Sequence, residues 1–133
     1  MGVHEYFRNS DLFFMANYAQ AVNAIGCIKT TPTAAGLATS AMPLILYRKH
    51  FETVPLKVEN TIPGLDIAAE VSPDRSVLTL AVVNPNGTPE VFDADFGETG
   101  ISRTGQMWLI RHDDSEAYNV LGKEQEVRIV GSE

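Results

Sequence analysis

Met15-Ala-Asn-Tyr-Ala-Gln-Ala-Val-Asn23, continued by Ala24-Ile-Gly-Cys-Ile-Lys-Thr-Thr31, is the stretch on which a reading of this chain turns. An apolar entry, Leu12-Phe-Phe14, precedes it, and the amides Asn17, Gln20 and Asn23 interrupt residues that are otherwise small or apolar. A nearly continuous apolar run of strand length is the pattern of a strand covered on both faces, as in a parallel sheet flanked by helices. Phe13–Ala19 is therefore predicted to be a buried strand, with amides at the end where the chain leaves a core and meets a polar ligand. The rest of the sequence holds no partner strands for a parallel sheet. That mismatch marks the stretch as a piece of something larger.

The chain has 133 residues, the size of one domain with a modest core. Its 44% hydrophobic and 20% charged content is ordinary for a soluble globular protein. No apolar stretch approaches the roughly 20 residues that span a bilayer, so no membrane partner is expected. Met1-Gly-Val-His-Glu-Tyr-Phe-Arg8 lacks the basic-then-apolar pattern of a secretory leader, and a cytoplasmic location is expected. A single cysteine, Cys27, leaves no internal disulfide and no multi-cysteine zinc site, and between Gly26 and Ile28 it reads as a small buried hydrophobe.

The formal net charge of −7 argues against a nucleic-acid partner, whose binding needs clustered Lys and Arg. The charge is unevenly placed. Residues 1–50 carry four basic and two acidic side chains, whereas residues 51–133 carry six basic and fifteen acidic. The shift coincides with a change in apolar periodicity, which places a domain boundary near Phe51–Pro55.

Residues 3–10 are expected to form a helix end with Tyr6 and Phe7 on its buried side. Ala19–Thr39, rich in Ala, Gly and Thr and broken by Pro32 and Gly36, reads as a long connection with a short helical turn. A helix is predicted over about 41–51: Thr39 or Ser40 caps it, Pro43 sits in its first turn, and Arg48, Lys49 and His50 suit its C-terminal pole. From Pro55 the period changes to two. Leu56–Val58, Leu65–Ile67, Ser76–Val83, Glu90–Phe96, Gln106–Arg111 and Gln125–Val130 read as strands, with turns at Asn84-Pro-Asn-Gly87 and Gly97-Glu-Thr-Gly100. Short strands at this spacing predict an antiparallel β-sandwich.

Several of these residues also carry a family likeness. Gly2-Val-His-Glu-Tyr-Phe-Arg-Asn-Ser-Asp11, Phe14-Met-Ala-Asn-Tyr-Ala-Gln-Ala-Val-Asn23 and Ile28-Lys-Thr-Thr31 resemble the C-terminal region of the family 51 α-L-arabinofuranosidases. Tyr47-Arg-Lys-His-Phe51, Val82-Val-Asn84 and Glu116-Ala-Tyr-Asn119 resemble it as well. The resemblance implies a (β/α)8 barrel followed by a jelly-roll type β-sandwich, in an enzyme that removes terminal arabinofuranosyl units from arabinan and arabinoxylan by a retaining mechanism. It implies that residues 1–51 end the barrel, with Phe13–Ala19 as its last strand and about 41–51 as its last helix, and that 52–133 are the sandwich. The missing partner strands would then lie upstream. Active sites sit at the C-terminal ends of barrel strands, and the likeness gives Gln20 the role of substrate contact, with Asn17 and Asn23 as loop support.

Retaining hydrolysis needs two carboxyl groups about 5–5.5 Å apart. The barrel-like part offers only Glu5 and Asp11, both before the strand. The family's catalytic glutamates come from earlier strands, so this chain alone is expected to have no catalytic residue and no activity, with arabinose-containing poly- or oligosaccharide as the partner of the intact enzyme. No cofactor and no metal site is expected. His4, His50 and His112 are widely spaced and read as surface or helix-end residues, and Asp113-Asp114-x-Glu116 as an acidic turn in water. Asp93 and Asp95 are expected to face solvent, Trp108 to lie in the sandwich core, and Asn86-Gly-Thr88, which matches a glycosylation acceptor, to serve as part of a turn.

The alternative reading is a free-standing, non-catalytic β-sandwich that binds carbohydrate or protein. In either case a barrel strand cut from its neighbours leaves backbone groups and apolar surface unpaired. Three outcomes are expected for it: local refolding, pairing with a second copy of the chain, or conversion to helix through Ala16, Ala19, Ala21 and Ala24.

Overall fold

The computed structural model describes residues 2–132. Among them the chain is mainly β, with antiparallel strands in three small sheets and two short helices, α1 (Gly2–Arg8) and α2 (Ala41–His50). The strands are β1 (Ile28–Thr31), β2 (Ala34–Leu37), β3 (Val54–Leu56), β4 (Asp66–Val71), β5 (Leu78–Val83), β6 (Met107–Ile110) and β7 (Ile129–Ser132). They pair as β1–β2, β3–β4–β5 and β6–β7. Two compact units result, one from Met1–Ala16 with His50–Ile101, the other from Asn17–Lys49 with Ser102–Glu133.

The first unit is organised around β4, which lies between β3 and β5 and is buried from Asp66 to Glu70. Leu65, Ile67, Ala68 and Ala69 form its apolar core. Alternation along the strand places Asp66, Ala68 and Glu70 on one face. The β4–β5 turn is set by a polar knot. Ser72 and Ser76 hydroxyls donate to Asp74 at 2.6 and 2.9 Å, while the backbone N–H groups of Ser76 and Val77 donate to the Ser72 hydroxyl. At the other end of the sheet, Asn84 accepts from the Asn86 N–H at 2.9 Å and donates to the Thr88 carbonyl at 3.0 Å, which closes the expected turn.

In the second unit α2 starts beside Pro43, and its first residues Ala41 and Met42 are buried. The Thr39 hydroxyl accepts from the Asn119 N–H at 2.8 Å. Asn119 in turn spans to Val127 with both amide atoms, donating to its carbonyl at 2.7 Å and accepting its N–H at 2.8 Å. Backbone-like pairing by a side-chain amide lets an irregular segment be buried without orphaned groups.

Several expectations are corrected. Phe13–Ala19 is not a strand: residues 11–20 form no ladder, and Phe14 is 97% exposed. No strand among the described residues pairs with it, and an extended segment without partners has nothing to hold it straight. The chain instead turns after α1, with the N–H groups of Leu12 and Phe13 donating to the Asn9 carbonyl. Within Ala19–Thr39 the expected loose connection contains the β1–β2 hairpin, in register Ile28↔Leu37 through Thr31↔Ala34. Its turn is fastened by the Thr31 hydroxyl, which accepts from the Ala34 N–H at 3.1 Å.

Glu90–Phe96 forms no strand either, and Val91 is 97% exposed. Asp95 binds the Gly97 N–H at 2.8 Å, an example of short acidic side chains diverting the backbone from ladders. The last strand begins at Ile129 rather than Gln125. Trp108 is half-buried on β6, opposite Gly131 of β7, rather than enclosed in a core.

Candidate functional site

Gln20 lies in an exposed loop of the second unit that runs from Asn17 to the start of β1. The loop is tied down by local bonds. Val22 makes a single parallel bridge to Ile28, the Asn23 N–H donates to the Ile28 carbonyl at 2.8 Å, and the Ile28 N–H donates to the Ala21 carbonyl at 3.1 Å. Tyr18 donates from its hydroxyl to the Ile25 carbonyl at 3.2 Å, and Lys29 from Nζ to the Ala24 carbonyl at 2.6 Å. Gly26 is required at the crossing, because a Cβ there would lie 2.6–2.7 Å from the backbone of Gln20 and Ala21. Within the single chain the stretch refolds locally and does not become helical.

Within the loop the amides have different surroundings. Asn23, with φ of 53°, donates to the Thr30 hydroxyl at 3.0 Å and accepts the Thr30 N–H at 2.9 Å, fixing the loop to β1. Asn17 is exposed. The Gln20 amide makes no hydrogen bond among the described residues and is exposed to solvent. The three amides therefore share one loop, with Asn23 serving the backbone and Gln20 left open.

A second polar group lies in the first unit and was not read from the sequence. His4 is completely buried, which overturns its expected surface position. Its Nδ1 sits 3.1 Å from Asp66 Oδ2, while Arg8 donates to Asp66 Oδ1 and, at 3.0 Å, to the Ile67 carbonyl. Burial opposes ionisation of Asp66, but the hydrogen bonds from Arg8 and then His4 outweigh it and hold the carboxyl below its usual range. Burial likewise lowers His4 below the ordinary imidazole value, against the pull of Asp66, and favours the neutral ring. The available signal was the i, i+4 spacing of His4 and Arg8 on one helix face.

These carboxyls cannot perform retaining hydrolysis between them. Asp66 and Glu70 are four residues apart on one strand, roughly 13 Å at about 3.3 Å per residue, against the about 5–5.5 Å that the reaction needs. The depression beside β4 is lined by residues such as Phe7, Leu56, Ile67 and Ala69, and Glu70 is not among them. Glu5 is paired with Arg8 at 2.6 Å on the surface, and Asp11 is exposed.

Elsewhere, His50 ends α2 and His112 is exposed. In the acidic turn Asp114 accepts the Glu116 N–H at 2.9 Å and Asp113 pairs with Arg111 at 2.9 Å. Asp93 and Asp95 are exposed, and Cys27 is half-buried. Among the described residues no group of three His, Cys, Asp or Glu side chains is placed to hold a metal ion, and no helix is long and apolar enough to cross a membrane.

The family described as "Alpha-L-arabinofuranosidase C-terminal domain" matches residues 3–133. The chain belongs to that family. No curated protein and no solved structure matches the chain. Two of the marks that carry the likeness, Asn84 and Asn119, are the amides that bridge turns in the two units. This gives these two marks of the arabinofuranosidase C-terminal domain a physical meaning: each replaces a missing ladder with a side-chain amide.

Proposed function

We propose that this chain is the C-terminal portion of a retaining α-L-arabinofuranosidase that hydrolyses terminal non-reducing α-L-arabinofuranosyl residues of arabinan or arabinoxylan. In this reading residues 1–51 end the (β/α)8 barrel and 52–133 form a supporting β-sandwich of jelly-roll type. The chain supplies no catalytic carboxylate. It supplies one substrate contact, Gln20, with Asn17 and Asn23 holding its loop. The family match over residues 3–133 is the observation that carries the reading. The open Gln20 amide and the exposed Leu12, Phe13, Phe14 and Met15 support it, because an apolar strand needs its barrel neighbours to be covered.

Two assays test it. The 133-residue chain alone should neither hydrolyse an aryl α-L-arabinofuranoside nor give a calorimetric signal with arabino-oligosaccharides. Turnover by the chain would overturn the assignment of catalysis to other residues, and binding without turnover would favour a free-standing carbohydrate-binding sandwich. In the product of the complete coding region, Gln20→Ala should lower kcat/KM about tenfold, the loss of one hydrogen bond to the sugar. An unchanged kcat/KM would remove Gln20 from the site.

A further inference from the structure

We propose that Glu70 and Glu52 form a proton-dependent latch that holds residues 50–53 against the buried face of β4. Glu70 is 3% exposed in the central strand of its sheet, and its Oε2 has no hydrogen-bond partner among the described residues. A buried carboxylate without donors is costly, whereas the protonated acid is tolerated.

The sheet register and one side-chain hydrogen bond bring the segment that carries Glu52 to this face. Thr79 of β5 pairs directly with Glu70, and directly paired side chains share a face. The Thr79 hydroxyl donates to the His50 carbonyl at 3.2 Å, so the chain leaving α2 crosses the same face at Glu70. Phe51 anchors this crossing on Phe7 of α1, ring centroids 4.7 Å apart, and half-buried Glu52 follows at once.

Among the described residues no Lys, Arg or His forms an ion pair with Glu70. The flanking strands, Val54-Pro-Leu56 and Leu78-Thr-Leu-Ala-Val-Val83, carry no titratable side chain. On α1, Arg8 is engaged by Glu5 and Asp66, and His4 by Asp66. Arg75 lies exposed on the β4–β5 turn, and His50 stands at the head of the crossing segment. Burial first, and then the Glu52 charge, push the Glu70 carboxyl up to about 7.

Below that value Glu70 keeps its proton and the segment stays seated. Above it the proton leaves to solvent, two carboxylates face each other, and the Thr79–His50 bond and the Phe7–Phe51 contact must hold the segment against their repulsion.

A carbon-detected NMR titration of the 133-residue chain, combined with amide hydrogen exchange, tests the latch. The Glu70 carboxyl should titrate near neutrality, and Glu52→Gln should lower its midpoint by about 1 unit. Protection factors along the β4–β5 ladder should fall about tenfold or more between pH 5 and 8, and Glu70→Gln should abolish the fall. Titration of Glu70 with the exposed carboxyls near about 4.3, a midpoint unmoved by Glu52→Gln, or an equal fall in Glu70→Gln would each overturn the proposal. Should Glu70→Gln fail to fold, the Glu52→Gln titration decides alone.

Discussion

Strand β4 and the stretch Leu12–Ile25 invert the usual relation between polarity and burial. β4 carries two carboxylates yet is buried along Asp66–Glu70, whereas Leu12, Phe13, Phe14, Met15 and Ile25 are all exposed. The difference lies in partners. β4 has a ladder on each side and α1 packed against it, with Arg8 and His4 meeting its first carboxylate. Leu12–Ile25 has turns and one isolated bridge. Hydrophobicity drives burial only when the backbone that comes with it can also be satisfied.

Substitutions can break this contrast, most strongly at the centre of β4. Ile67→Ala removes a buried side chain from between two strands and should cost about 2–5 kcal/mol, read as a lowered urea midpoint with unchanged slope. Asp66→Ala should cost about 2 kcal/mol by leaving Arg8 and the buried His4 without their acceptor.

The wild type should lose the same interaction in acid. His4 and Asp66 both have lowered native values, so their stabilisation is full above the ordinary values of 6.5 and 3.8 and is lost as pH falls below each in turn. Urea midpoints measured from pH 7 down to 3 should therefore decline in the wild type, and in Asp66→Ala the part lost below 3.8 should disappear while the decline below 6.5 from the buried His4 remains.

The far end of the same strand has the opposite sign. Glu70 is raised from 4.5 to about 7, so the native state binds more protons than the unfolded chain across that window, and stability falls as pH rises through it. Glu70→Gln should raise the urea midpoint at pH 8 and leave it nearly unchanged at pH 4. The smallest effect belongs to the other member of the comparison. Phe14→Ser should shift stability by less than about 0.5 kcal/mol in this chain, because its ring is in water already.

The same contrast explains what could be read in advance. α2 was legible because Pro43 and the closing Arg48, Lys49 and His50 are local signals, and the strands at Leu78–Val83 and Met107–Ile110 because apolar residues dominate them. The alternation at Leu65-Asp-Ile67 marked where β4 begins, but Ala68-Ala-Glu70 gives no strand signal, so its length and central position were missed. Glu90–Phe96 alternates as a strand should and still finds no partner, since period alone carries no information about pairing. In the candidate site the amides Asn17, Gln20 and Asn23 were visible as interruptions of an apolar run. His4 meets Asp66 across 62 residues of chain and Glu70 feels the Glu52 charge across 18, and no local pattern encodes either.

Trp108 gives these measurements a built-in observer. It is the sole tryptophan of the sequence, and its ring lies against Gly131, where an added Cβ would come within 3.3 Å of Cδ1 and Nε1. Its emission therefore watches β6 and β7, in one of the two units. Far-ultraviolet circular dichroism sees both. Coincident unfolding curves from the two signals would show that the units melt as one cooperative block, and separated curves would resolve the loss of each in a single titration.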